Sequence, residues 1–347
     1  MVFPEIGWCL TIYSDPPTIF EQVSLVSHAD WSKNPSKRWM AIAVMQDNHR
    51  WLVCELSKVC EPSNLFIYLK SRLLKSGCIM AGFDFPIGIP FSYASKAGIT
   101  DFLTTLPLFG HNEWDQFYIP AELPPQISLL RPFYPSRPGN SKRQYLEKGL
   151  NIPFDHLFRL CEIAHENRRA ACPLFWTMGG QQVGKAAISG WESLLSPGLY
   201  DPDLNLKIWP FSGPLASICT TGNIVVLETY PAEFYGHLGL SFSLPVRRSK
   251  RRQIDRKAFA DQLISWARDH YLELHGSILD MIKDGFGNEL DGEDRFDALV
   301  GLYGMINVIL GNHPTGEPAA PLIPKIEGWI FGQERPQKVS CVHRSSK

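Results

Sequence analysis

Three apolar runs in this chain each end on a carboxylate: SLVSHAD (24–30), CIMAGFD (78–84) and NIVVLE (223–228). Runs of this length and β-branched content, closed by polar or Pro/Gly-rich turns, predict buried strands. A strand buried on both faces has no use for a charge inside it, so an acid at its end marks the point where the chain leaves the core. The carboxyl-terminal edge of a parallel sheet is where active sites gather. Asp30, Asp84 and Glu228 are therefore expected to converge on one sheet edge. For each acid alone, a turn or cap role is about as good a reading.

The segments between these runs set the order of elements. WMAIAVMQ (39–46) and RWLVCEL (50–56) flank the polar turn DNH and predict a hairpin. PSNLFIYLKSRLLKS (62–76) has helical spacing, with Ser63 as the expected N-cap and Gly77 as the stop. The first 90 residues thus read strand, strand, strand, helix, strand, which gives a mixed sheet with parallel neighbours. From residue 91 to about 217 the pattern breaks into a Pro- and Gly-rich segment full of Phe, Leu and Trp. It is read as an insertion with its own helical pieces, FDHLFRLCEIAHENRRA (154–170) among them, rather than as a linker. Amphipathic helices are expected over 255–274 and from near Glu293. The resulting division is an N-terminal extension over 1–23, one domain over 24–333 carrying the insertion, and a tail over 334–347.

The 347 residues, 44% apolar and 20% charged, suit a globular chain with ample core. The net charge of −1 excludes a global electrostatic pull on nucleic acid, so any such binding needs a local patch. Eight scattered cysteines, none in C-x-x-C spacing, argue for free thiols in a reducing compartment, and a cytoplasmic location is expected. No run of 18 apolar residues predicts a membrane span.

Carboxylates from neighbouring strands repel strongly unless a cation sits among them, and Mg²⁺ or Mn²⁺ accepts such an all-oxygen ligand set. EDRFDAL (293–299) adds two more acids. Asp294 and Asp297 are three apart and share a helix face, although an acid pair opening a helix is also favoured by the helix dipole. The ten histidines form no H-x-x-x-H pair, and His28 is read as packed or as a hydrogen-bonding neighbour of the acids.

The basic run RRSKRRQIDRK (247–257) has seven Lys or Arg in eleven residues. Arg247 and Arg248 are candidate phosphate contacts, against the plainer reading of a solvated loop. MGGQQVGKAA (178–187) nearly matches the phosphate loop G-x-x-x-x-G-K-[S/T], but Ala186 stands where a hydroxyl would bind magnesium. It is better read as a loop facing the acids, with Gln181, Gln182 and Lys185 as candidate substrate contacts, or else as a tight turn with Lys185 solvated.

Five stretches, HADWSKNPSKRWMAIAV, GFDFPIGIP, VVLETYPAEFY, DRFDALVGLYG and IEGWIFG, resemble a family of predicted ribonuclease H-like nucleases, domain-of-unknown-function family 429. The likeness spans about residues 24–332. Its last acidic motif is also similar to the closing motif of RuvC-type junction resolvases. The resemblance implies a five-stranded mixed sheet in the order 3-2-1-4-5, flanked by helices. It implies two divalent ions held by Asp30, Asp84, Glu228 and Asp297, with Asp294 assisting, and a nucleic-acid or nucleotide substrate cut at a phosphodiester bond. Two alternatives stay open. One is a nucleotide-dependent phosphotransferase or ATPase of related fold, for which a second glycine-rich phosphate hairpin is missing. The other is a protein that binds a nucleotide or nucleic-acid end without turnover.

Overall fold

A computed structural model describes residues 18–137, 139, 141–164, 169–178, 183–242, 247–318 and 323–334. The apolar runs form strands β1 (Val23–Asp30), β2 (Trp39–Met45), β3 (Trp51–Lys58), β4 (Cys78–Phe83) and β6 (Ile224–Glu228). Two three-residue strands, β5 (Leu206–Ile208) and β7 (Leu272–Leu274), add to them. The result is one mixed α/β sheet of seven strands in the order β5-β6-β4-β1-β2-β3-β7. The expected five-stranded order therefore does not describe the whole sheet, because β5 and β7 extend it at both edges. β1 pairs antiparallel with β2 and parallel with β4, and β4 pairs parallel with β6.

Alternation along the strands divides the interior in two. Leu25, Met40, Ile42, Ile79, Ala81 and Phe83 face one layer, shared with the helix Pro62–Ser71 and the insertion. Val26, Ala41, Ala43, Val53 and Met80 face the other, shared with the helix Gly292–Ile309. The insertion is thus a packed layer whose Phe102, Phe109, Phe117 and Trp191 are fully buried. The helix Gly292–Ile309 is buried almost all round and lies against β1 and β2. Gly301 permits that approach, because a Cβ there would lie 2.1 Å from the His28 ring. His28 is packed in the core. Its Nδ1 faces the Ala298 carbonyl at 3.2 Å, and burial depresses its pKa to about 3.

Several local expectations are corrected. The crossover helix ends at Ser71, not near Gly77, and its N-cap is Glu61, not Ser63. The stretch expected as a helix over 255–274 is split into Gln253–Lys257, Ala260–Asp269 and β7, with Tyr271 at a φ of +57° breaking the run. Residues 154–164 hold two short 3₁₀ turns, Phe154–Leu157 and Leu160–Glu162, in place of a helix. Arg159 stands between the two turns: its N–H donates to Glu162 Oε2 at 2.9 Å, and its guanidinium is committed to the buried partners described below. Among the described residues, no helix is long and apolar enough to cross a membrane.

Candidate functional site

Asp30 closes β1 and Asp84 follows the last residue of β4. Because Ala29 pairs with Phe83, the two acids stand level on adjacent parallel strands. Their carboxyls are in hydrogen-bonding contact. The Trp31 N–H also donates to Asp84 Oδ1 at 2.6 Å. Burial, then Asp84, then Asp297 push the Asp30 carboxyl well above the usual carboxylate range. Burial raises Asp84 to about 6, against the lowering pull of its hydrogen bonds from Asp30 and the Trp31 amide. Two carboxyls in contact cannot both ionise without a cation beside them.

Both acids line a cavity of about 940 Å³. The helix Gly292–Ile309 contributes Glu293, Asp294 and Asp297 to the same cavity. Burial raises Asp294 to about 6, partly offset by Lys37, and its Oδ2 is buried with no hydrogen-bond partner. Asp297 is engaged differently. The Tyr235 hydroxyl donates to its Oδ1, and the Lys250 ammonium pairs with its Oδ2 and lies 3.2 Å from Glu293 Oε1. Burial works against the charge on Lys250, but Asp297 and Tyr235 outweigh it and hold the pKa well above normal. Lys250 is a cation already seated among the acids.

Glu228 does not join them. It pairs with Phe83, one residue short of Asp84, so its side chain points to the face that Phe83 occupies. That face belongs to the insertion, and there Arg159 grips it. Arg159 Nη1 and Nη2 donate to the two Glu228 oxygens at 2.7 and 2.6 Å, and the Ile87 N–H donates to Oε2 at 2.7 Å. Arg159 Nε also bonds Glu162 at 3.0 Å, and Arg159, Glu162 and Glu228 are all buried. The expected fourth ligand is thus an ion-paired strut between sheet and insertion, outside the cavity lining.

The basic run is broken up in the same way. Arg256 is buried and donates to the carbonyls of Lys250, Gly285 and Gly287. Arg252 pairs with Asp255 at 2.6 Å, and Arg248 stacks over Phe259 at 5.2 Å. Arg247 and Arg248 do not line the cavity; Lys250 and Arg251 do. Lys250 and Tyr235 are the residues that sequence reasoning missed. Nothing set Lys250 apart from its six basic neighbours, and the motif YPAEFY gave no signal for Tyr235.

Of the glycine-rich stretch, Val183, Lys185 and Ala186 line the cavity from the helix Val183–Gly190. Gln181 and Gln182 lie outside the described residues. No strand leads into this helix from residues 171–178, as a nucleotide phosphate loop would require.

For a metal, the cavity offers oxygen donors of the right kind for a hard divalent cation: Asp30 and Asp84 side by side, and the unpartnered Asp294 Oδ2. It does not offer the expected number, because Glu228 and Asp297 are taken by Arg159 and Lys250. Among the described residues no three His, Cys, Asp or Glu side chains are grouped as around a metal ion. No family model, curated protein or solved structure matches the chain.

Proposed function

We propose that the chain is a ribonuclease H-like, metal-dependent hydrolase of phosphodiester bonds, with Asp30 and Asp84 as its catalytic and metal-holding pair. The observation that carries this reading is the contact between those two half-buried carboxyls in a cavity also walled by lysines. Within the seven-stranded sheet, the run β3-β2-β1-β4-β6 supports this reading. A Mg²⁺ or Mn²⁺ ion on Asp30 and Asp84 would supply a water acidified toward neutral pH and a charge against the scissile phosphate. Asp294 has the free oxygen to complete that set or to orient a water. Lys250 fixes Asp297 and places positive charge where a second ion was expected, so one ion plus Lys250 replaces two ions in this reading. Lys185 and Arg251 face the same space and offset the charge of a phosphate. Nucleic acid or a nucleotide is the substrate class.

The test is incubation with labelled RNA, DNA, hybrid and branched substrates in Mg²⁺ or Mn²⁺. Cleavage by the wild type that drops at least about 10³-fold in both Asp30→Asn and Asp84→Asn supports the reading. Cleavage that survives in both variants, or none on any substrate, rules it out.

A further inference from the structure

Lys33 and Lys185 come from distant parts of the sequence and line the same cavity. Lys33 lies in the turn between β1 and β2, three residues after Asp30. Lys185 lies in the helix Val183–Gly190 of the insertion. A buried arginine joins the two elements. Arg38 Nη2 donates to Ser189 Oγ at 2.7 Å, its Nε donates to the Ser32 carbonyl at 2.7 Å, and its guanidinium stacks 4.2 Å over the Trp31 ring. Ser189 is four residues beyond Lys185, hence on the same helix face. The strut therefore holds the backbone beside Lys33 against the face that carries Lys185. Asn34 stiffens the turn further, since its Oδ1 accepts from the Ser36 N–H at 3.1 Å.

Two like charges are brought together here without an acidic partner. Neither Lys33 nor Lys185 has an ion pair among the described residues, whereas Lys250, Arg251, Arg252 and Arg256 all have carboxylate or carbonyl partners. Partial burial and then the charge of Lys33 depress the pKa of Lys185. Two ammonium groups that share one cavity wall repel each other, and an anion between them offsets that repulsion. Three residues of chain reach at most about 11 Å, so Lys33 stays within a short distance of Asp30. A phosphate at the lysines therefore lies in the same cavity as the carboxyls.

We propose that Lys33 and Lys185 form an anion subsite for a terminal phosphate monoester, so that the ligand of this cavity is a phosphorylated strand end or nucleotide. Two ammonium charges match the charge of a monoester, about −1.5 to −2, better than the single charge of an internal diester. The cavity volume of about 940 Å³ lies at the upper end for a small-ligand site, and the lysines and carboxyls line it together. The internal phosphates of a nucleic acid are diesters, so the monoester this subsite takes is found only at a strand end or on a nucleotide. The subsite deepens the phosphodiester reading and rests on it only for what happens to the bond beyond the phosphate.

Isothermal titration of the full chain in EDTA, with a thymidine dinucleotide bearing a 5′-phosphate, a 3′-phosphate or neither, tests the subsite without turnover. The wild type is expected to bind one of the phosphorylated forms at least about tenfold more tightly than the unphosphorylated one. That preference should fall below about twofold in Lys33→Ala and Lys185→Ala and persist in Lys148→Ala, an exposed lysine elsewhere in the insertion. Lys185→Met, which keeps the side-chain stem, should behave as Lys185→Ala does. Equal binding of all three probes, no measurable binding of any, or a preference that survives the double Lys33→Ala/Lys185→Ala change overturns the subsite. The two readings fail separately. Phosphate-dependent binding without cleavage in Mg²⁺ or Mn²⁺ removes the hydrolase and keeps the subsite. Cleavage indifferent to a terminal phosphate does the reverse.

Discussion

Glu228→Gln separates a metal ligand from a structural strut. Glu228 Oε2 accepts from both the Ile87 N–H and Arg159 Nη1, and Oε1 accepts from Arg159 Nη2. Glutamine has the same shape but only one acceptor oxygen. Its amide NH₂ must face a donor, so at least one buried N–H loses its partner, at about 1–3 kcal/mol. Arg159 is then left with Glu162, whose carboxyl burial raises to about 7. Breaking a buried ion pair from one side costs about 3–5 kcal/mol in all. At an unfolding entropy of about 2.1 cal/mol/K per residue over a chain of 347 residues, that is a fall in Tm of about 4–7 °C. Differential scanning calorimetry measures this, and Mn²⁺ titration of the same variant at a temperature where it is folded measures metal affinity. A large loss of stability with Mn²⁺ affinity within about twofold of wild type is expected. A variant with unchanged Tm that binds Mn²⁺ at least tenfold more weakly would refute it, and Glu228 would rejoin the metal ligands.

Three further outcomes follow from the same geometry. Lys250→Met removes the cation seated on Asp297, so Mn²⁺ stoichiometry read by electron paramagnetic resonance should rise from one ion to two; an unchanged count contradicts the role given to Lys250. Burial lifts Glu162 from 4.5 to about 7, so the folded state holds a proton that the unfolded chain releases. Its stability contribution is therefore greatest below about pH 4.5 and is lost as pH rises through 7, a change of about 3 kcal/mol. Urea midpoints at pH 5 and 7.5 should show a fall that Glu162→Gln flattens, and an identical slope in the variant would be contrary. Gly301→Ala forces a methyl to 2.1 Å from the His28 ring and should cost about 1–3 kcal/mol in chemical denaturation, part of it recovered in His28→Ala/Gly301→Ala. A neutral Gly301→Ala would mean that helix and strand can part there freely.

Asp30, Asp84 and the start of the last helix were legible because an acid closing an apolar run, or opening a buried helix, is a local signal. Glu228 carries the same signal and yet does something else. The difference lies in the register of β4 against β6, where an offset of one residue sends it to the opposite face, and no single-strand pattern encodes that offset. Its partner Arg159 sits 69 residues upstream in a stretch whose apolar spacing suggested a helix. The edge strands β5 and β7 are three residues long, too short for a periodic signal. Lys250 was hidden among other basic residues, of which Arg251 and Arg252 pair with acids and Arg256 caps carbonyls. Charge density in a sequence does not say which cation turns inward.

The most direct test of the account is a crystal soaked in Mn²⁺ and measured at the manganese absorption edge. An anomalous peak coordinated by Asp30 and Asp84, with Lys250 still on Asp297 and Arg159 still on Glu228, is the predicted result. A peak ligated by Glu228, or none beside Asp30 and Asp84, would contradict it.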